Sequence, residues 1–427
     1  MKTIYFVAGE ASADNHGAAL MHALRSADPD LRFIGRGGPQ MKSVAGQDFQ
    51  DWIGQSGVLG FWEVIKHYGY FRKEFHAALR EIDSNKPNAV VLIDYPGFNL
   101  RLARALRGNI GFQPVRRNGG LAAKRPEKTT VVADETSTLR RPTKIIYYIS
   151  PQVWAWNRGR IKKMARWLDL MLCIFPFEAD LYNESGLRTI FVGHPMIERL
   201  RERAIDVVRD PDLIALFPGS RAREVRKIFP ILIETARELR RSKPNLRFEI
   251  AAASNELAGK MRNMIAAEDR QRSRREPSDV DGKAREGREL GGASDQFLEI
   301  KVGQTSEIMQ RAFAGIVASG SATLEAAYFR LPFVLVYKVA WPTYFAGRLV
   351  VTVDYLGMPN VLANKKLVPE FIQHRARPRK IAEAIIHLID DAQARQQMIW
   401  EFDKIAAQLG ETGASKRAAK AILDEIG

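Results

Sequence analysis

The sequence predicts an α/β protein built as two Rossmann-like domains facing a cleft. Three observations lead there. At 427 residues the chain is too long for one ordinary hydrophobic core. Short apolar runs alternate with amphipathic stretches, the pattern of parallel sheets covered by helices. That alternation breaks at a polar, charged stretch over 194–212 and then begins again.

In the first half the predicted strands are 3–8 (TIYFVA), 89–94 (AVVLID), 144–150 (KIIYYIS), 169–175 (DLMLCIF) and 189–193 (TIFVG). In the second half they are 213–219 (LIALFPG), 246–252 (LRFEIAA), 315–320 (GIVASG) and 333–339 (FVLVYKV). Each is a nearly continuous apolar run, as a strand covered on both faces requires. The expected domains are 1–200, 201–390, and a helical tail over 391–427 that packs back on the first domain or exchanges in a dimer. Two segments lack either period. Residues 108–142 carry seven Lys or Arg against three Asp or Glu, and residues 268–289 hold 14 charges in 22 positions. Both read as solvated insertions, the second extending to 292.

Composition narrows the function classes. Apolar residues make up 46% and charged residues 27%, ordinary for a globular chain. There is no apolar run of about 18 residues, the length of a spanning helix. The start, MKTIYFVAGEASAD, meets an acidic residue too early for a secretory signal, so the chain is expected in the cytoplasm. The single cysteine, Cys173, lies in an apolar run and reads as core. Seven histidines without metal-ligand spacing give no metal site. A net charge of +16 points to an anionic partner. With no zinc-finger or RNA-binding aromatic signature, nucleic acid gives way to an anionic membrane or phosphorylated substrates.

Candidate site residues cluster after the strands. Gly9-Glu10-Ala11-Ser12-Ala13-Asp14 follows the first strand; its small residues let backbone amides approach a ligand, while Glu10 and Asp14 suit hydroxyl-rich ligands such as sugars. A turn capped by Ser12 or Asp14 explains the same residues. No G-x-G-x-x-G dinucleotide fingerprint is present. Asp94 ends a buried strand, where partial burial raises a carboxylate toward general-base values; a helix-capping role is the alternative. Ser150-Pro151-Gln152-Val153-Trp154-Ala155-Trp156 places two tryptophans in a loop, followed by Arg158, Arg160, Lys162, Lys163 and Arg166. Their spacing puts some in solvent and lets others reach an anionic group. In the second half, Phe217-Pro218-Gly219-Ser220-Arg221 offers a close-approach glycine, a hydroxyl and a guanidinium for phosphate. Ser319-Gly320-Ser321-Ala322-Thr323-Leu324-Glu325 repeats the arrangement, with the amides of a helix over 321–330 for pyrophosphate and Glu325 for ribose hydroxyls. His194, in Gly193-His194-Pro195, lines the cleft or makes a structural turn.

Together GEASAD, IDYPGFN, SPQVWAW, PFE, VGHP, FPGSR with Glu224-Val225, ASGSATLE and MPNVLA run in order from residue 9 to residue 363 and resemble the lipid-A-disaccharide synthase family. The resemblance implies a glycosyltransferase B-type fold without metal or cofactor. It implies transfer of 2,3-diacylglucosamine from UDP-2,3-diacylglucosamine to the 6-hydroxyl of 2,3-diacylglucosamine 1-phosphate, giving a β-1,6-linked disaccharide and UDP. By match, Asp94 takes the general-base position, and Gly219, Ser220, Arg221, Gly320, Ser321, Thr323, Glu325 and Asn360 fall on the nucleotide side. Gly9, Glu10, Ser12, Asp14, Asn99, Gln152, Trp154 and His194 fall on the sugar and acceptor side. A homodimer with exchanged C-terminal segments is likewise implied. This sequence departs from the family at Ala13, usually glycine, and at Gly97, commonly acidic. The stretch 58–73, with Phe61, Trp62, Lys66, Phe71, Arg72 and Lys73, mixes aromatic and basic residues suited to the inner face of a membrane, or to a core-facing amphipathic helix. Two rivals stay open: another UDP-sugar-dependent enzyme of the same fold, an epimerase or a transferase, and a non-enzymatic basic membrane-binding protein.

Overall fold

A computed structural model of the chain describes residues 1–53, 68–108, 143–273, 297–341, 344 and 353–427. The chain divides into two compact units, Met1–Pro195 with Thr412–Gly427, and Met196–Glu411.

In the first unit the described residues form seven parallel strands, β1 (Thr3–Ala8), β2 (Arg32–Gly37), β3 (Phe49–Asp51), β4 (Ala89–Ile93), β5 (Lys144–Tyr148), β6 (Leu170–Cys173) and β7 (Thr189–Phe191). Their order across the sheet is β3-β2-β1-β4-β5-β6-β7. The two-residue period of a strand sends alternate side chains to opposite faces. Ile4, Phe6 and Ala8 join one buried cluster with Leu20, Met21 and Ile422, against helices Ala11–Ala27 and Ala414–Ile426. Tyr5 and Val7 join the other with Ala78, Ile82 and Leu102, against helices Tyr68–Asn85 and Pro96–Gly108.

Strand β2 was not among the expected strands. Its sequence, RFIGRG, carries two glycines and two arginines and shows no apolar run. Gly35 is required there, because at φ +130° a Cβ would come within 2.1 Å of the Phe6 carbonyl oxygen. Arg36 is fully buried, its guanidinium bound by Glu74 and Glu81 of the helix Tyr68–Asn85, while Tyr5 Oη donates to Glu81 at 2.7 Å. The short edge strand β3 and, in the second unit, the edge strands β10 (Leu298–Val302) and β13 (Glu370–Ile372) are also outside the expectation.

The second unit holds six parallel strands among the described residues: β8 (Asp210–Phe217), β9 (Arg247–Ala252), β10 (Leu298–Val302), β11 (Ala312–Ala318), β12 (Phe333–Tyr337) and β13 (Glu370–Ile372). Their order is β10-β9-β8-β11-β12-β13. The helix Met196–Glu202 and the strap after it belong here, so the unit begins five residues before the expected start at 201. The strap is tied down by hydrogen bonds: Ile205 N donates to Gln310 Oε1 at 2.7 Å and Arg209 Nη1 to the Met309 carbonyl at 2.8 Å.

The tail expected over 391–427 is divided. The helix Ala392–Gln408 stays with the second unit, where Phe402 stacks on Phe333 at 5.6 Å. The helix Ala414–Ile426 lies in the first unit, where Glu425 accepts from Lys144 at 2.8 Å and also pairs with Arg188. The expected basic insertion lies outside the described residues except Gly108. Residues 268–273 of the other one continue the helix Asn255–Ser273, and its remainder lies outside them.

Candidate active site

In each sheet the strand order reverses at one place, and ligands of open α/β sheets bind outside the carboxyl ends of the strands at that switch point. In the first unit the switch lies between β1 and β4, which pair as Ala8↔Ile93. The loops that leave them are the GEAS and Asp94 segments. They touch directly: a Cβ on Gly9 would stand 2.3 Å from the Tyr95 ring.

Asp94 and Tyr95 are both left-handed, at φ +46° and +49°. For residues with a Cβ this costs on the order of 1–2 kcal/mol each, so the surroundings must hold it. Asn99 does so: its side-chain amide donates to the Ile93 carbonyl at 3.2 Å and the Asp94 carbonyl at 2.8 Å. The Tyr147 hydroxyl donates to that same Asp94 carbonyl, and Asp94 N donates to the Tyr148 carbonyl at 3.0 Å. The bracing turns the Asp94 side chain off the end of its strand, half-buried. Burial, then the nearby Glu10 carboxylate, pushes its pKa up to about 6, against a hydrogen bond from the Tyr95 backbone.

Several expected contacts have other employment. Asn99 is fully buried and braces the backbone of Asp94, leaving no free donor for a sugar. Asp14 is buried too, its carboxylate accepting from Gly38 N, Gln40 N and Met41 N at 2.9–3.0 Å, so it caps the helix Pro39–Ala45. Ala13 sits inside the helix Ala11–Ala27 without positive φ, so alanine is accommodated there. Glu10 and Ser12 remain exposed on the first turn of that helix, and Gly97 is exposed with open space around its Cα.

The loop after β5 begins with Ile149 at φ +66° and leaves Gln152 exposed. Trp154, expected as an acceptor contact, is buried, and its indole N–H donates to Glu178 Oε1 at 2.9 Å. Glu178 is itself fully buried and also accepts from the Ser150 hydroxyl and, at 3.3 Å, from Phe175 N. Burial pushes its pKa up to about 7 in spite of these donors. Sequence reasoning passed over Glu178, although PFE follows directly on β6. His194, after β7, is half-buried with its ring 5.4 Å from that of Phe175. Cys173 is buried, and burial pushes its thiol well above the ordinary range. Phe71 is half-buried, edge-on to Trp52 at 6.3 Å, while Arg72 and Lys73 are exposed; Phe61, Trp62 and Lys66 lie outside the described residues.

In the second unit the switch point lies between β8 and β11. Gly219 follows β8 at φ +107°, and a Cβ there would stand 2.6 Å from Glu224 Oε2. That carboxylate reaches back to Arg221 N at 3.4 Å and to the Arg221 guanidinium at 3.3 Å, at the start of the helix Ala222–Ser242. Ser220 and Arg221 are exposed. After β11, Gly320 and Ser321 lie at the surface, and the helix is only Ala322–Tyr328, shorter than expected. Thr323 is buried and donates its hydroxyl to the Gly320 carbonyl at 2.7 Å, so it closes the loop and is not offered to a nucleotide. Glu325 accepts from Arg199 at 3.5 Å. Asn360 is fully buried: its amide donates to Val368 O and Glu370 Oε1 and accepts from Leu367 N and Val368 N, at 2.7–2.9 Å. It fastens the chain around Glu370 and has no capacity left for a ligand.

Two parallel α/β units, each with polar loops at its switch point, are the architecture of B-type nucleotide-sugar enzymes. The fold is similar to that of UDP-GlcNAc 2-epimerase from Neisseria meningitidis bound to UDP-GlcNAc, with a TM-score of 0.57 and 12% identity over 99% of this chain and 100% of that one. It is similar to MurG of Acinetobacter baumannii at a TM-score of 0.53, with 12% identity over 99% and 100%. The family model described as lipid-A-disaccharide synthetase matches residues 4–113, 126–285 and 289–424. The chain is 33% identical to lipid-A-disaccharide synthase of Geobacter sulfurreducens over 432 residues, 99% of this chain and 97% of that protein. The relative of the same description in Myxococcus xanthus is also 33% identical, over 99% and 97%. The chain belongs to the lipid-A-disaccharide synthase family, and it is a glycosyltransferase.

Proposed function

We propose that this chain moves 2,3-diacylglucosamine from its UDP donor to the 6-hydroxyl of 2,3-diacylglucosamine 1-phosphate. The products are a β-1,6-linked disaccharide 1-phosphate and UDP. The observation that carries the chemistry is Asp94, half-buried at the end of β4 with a pKa near 6. Such a group is ionised at neutral pH yet basic enough to take a proton, a general-base gain of roughly 10²–10⁴. In the inverting step Asp94 takes the proton of the acceptor hydroxyl as its oxygen bonds to the anomeric carbon. The bond from that carbon to the UDP oxygen breaks, and the electron pair leaves on UDP. Arg221 and the exposed loop at Ser220 receive the diphosphate charge as preorganised electrostatics. Gly320, Ser321 and Glu325 take the rest of the nucleotide, and Glu10, Ser12, Gln152 and His194 serve the sugars.

The acyl chains of both substrates argue for work at the inner face of a membrane. No helix of the described residues is long and apolar enough to cross one. Arg72 and Lys73 supply cations beside the stretch that holds Phe61, Trp62 and Lys66, each worth about 1 kcal/mol near an anionic surface. The packing of Phe71 on Trp52 favours a core role for that one ring. A homodimer is part of the same reading.

The test is incubation with UDP-2,3-diacylglucosamine with and without the acceptor. Disaccharide 1-phosphate and stoichiometric UDP, only when acceptor is present, are expected. An epimerised donor formed without acceptor would return the chain to the epimerase alternative. No turnover of either kind, with vesicle binding intact, would favour the membrane-binding one.

A further inference from the structure

We propose that Arg158 and Arg160 form the pocket that receives the phosphate monoester of the acceptor; this rests on the transfer reaction above. Strand β5 pairs with β4 up to Ile93↔Tyr148, and Asp94 N donates to the Tyr148 carbonyl at 3.0 Å. The loop carrying both arginines therefore leaves the sheet one residue beyond the backbone that holds Asp94. The acceptor must present its 6-hydroxyl to Asp94 while its phosphate lies across the sugar ring, so a phosphate site on a neighbouring strand end is where the reaction needs one.

The two guanidiniums are prepared for an anion. Neither forms an ion pair with a described residue, whereas carboxylates hold Arg32, Arg36, Arg107 and Arg188 of this unit. Arg158 is exposed, and its Nε donates to the Trp154 carbonyl at 3.3 Å, which fixes the plane of the group and leaves its outer nitrogens open. Arg160 lies over the Trp156 ring at 4.9 Å, a stack that orients the fork without neutralising it. Both arginines occupy the short 3-10 turn Arg158–Arg160. The platform beneath is rigid, because Trp154 is buried and anchored to the fully buried Glu178. Oriented guanidiniums on a fixed loop, Arg158 exposed and Arg160 half-buried, without an ion pair among the described residues, match the tetrahedral oxygens of a phosphate monoester. Lys162, Lys163 and Arg166 are exposed on the following helix without such support, and are not needed for the pocket.

The experiment compares acceptor with and without its 1-phosphate, in non-ionic detergent micelles free of phospholipid. Wild type should prefer the phosphorylated acceptor by about 10²-fold in kcat/KM, the scale of charge-assisted phosphate contacts. In Arg158→Ala/Arg160→Ala that preference should collapse toward one, while UDP affinity holds and KM rises more than kcat falls. Arg158→Lys/Arg160→Lys, which keeps charge but not the fork, should recover part of it. Arg158→Ala alone leaves the Trp156 stack in place and should lose about tenfold, which covers the case of a double variant that folds poorly. If these variants discriminate as strongly as wild type, the phosphate binds elsewhere. If wild type ignores the phosphate, or its preference appears only when phospholipid is present, the arginines serve a membrane headgroup and the inference falls. Absence of turnover with either acceptor would instead overturn the transfer reaction itself.

Discussion

At the scale of single residues, the two carboxylates with raised pKa values among the described residues do different work. Asp94 must be ionised to act, so kcat/KM should rise with pH through about 6 and level off above it. Glu10 is the second cause of that value after burial, so Glu10→Gln should move the rising limb to lower pH without restoring an ordinary aspartate. A limb unmoved by the substitution would detach Glu10 from Asp94. Asp94→Asn should cut turnover by roughly 10²–10⁴ while UDP still binds. Glu178 speaks through stability. Its folded pKa of about 7 stands above the ordinary glutamate value of 4.5, so the folded state holds the extra proton between those values. Stability should therefore fall as pH rises across that window, by at most about 3 kcal/mol. Glu178→Gln should flatten that slope in urea titrations. Glu178→Ala, which strands the Trp154 and Ser150 donors, should cost about 2–4 kcal/mol at low pH and less above the window, where the wild type has itself lost stability. An unchanged slope in the Gln variant would locate the titration elsewhere.

At the scale of elements, Asp14 joins two helices through one side chain, since it sits in the helix Ala11–Ala27 and caps Pro39–Ala45. Asp14→Ala should lower stability by about 1–2 kcal/mol, read from the urea midpoint, with the parallel sheet intact. Arg221→Ala should weaken UDP binding about tenfold or more by calorimetry, because a charge-assisted contact at the loop after β8 is lost. The apolar strands were legible in the sequence because burial on both faces leaves nearly unbroken hydrophobic runs. β2 was not, since Gly35 is chosen by the approach of Phe6 and Arg36 by an ion pair with a helix some forty residues on. The same blindness explains the site. Asp94 was legible from its place at a strand end. Asn99, Thr323 and Asn360 share a motif with ligand-facing residues, and only their hydrogen bonds reveal that they hold backbone. Glu178 went unread because its donors, Ser150 and Trp154, come from a different strand end.

At the scale of the molecule, the first unit is assembled from both ends of the sequence. Ala418, Ala419, Ile422 and Ile426 fill one face of its sheet, and Glu425 links Lys144 and Arg188. Deleting 412–427 should strip hydrogen-exchange protection from β1 and β4 while β8 and β11 of the second unit keep theirs and UDP still binds. Equal loss in both units would mean that the two do not fold separately. The same arrangement sets a timetable during synthesis. A nascent chain has every described strand of the first sheet synthesised by residue 191, yet the helix that closes one face is translated more than two hundred residues later. The contiguous second unit is whole once residue 411 clears the exit tunnel. Through that interval Ile4, Phe6 and Ile93 wait beneath an incomplete cover, so the growing polypeptide has its greatest need of a ribosome-associated chaperone while its second unit is still being made.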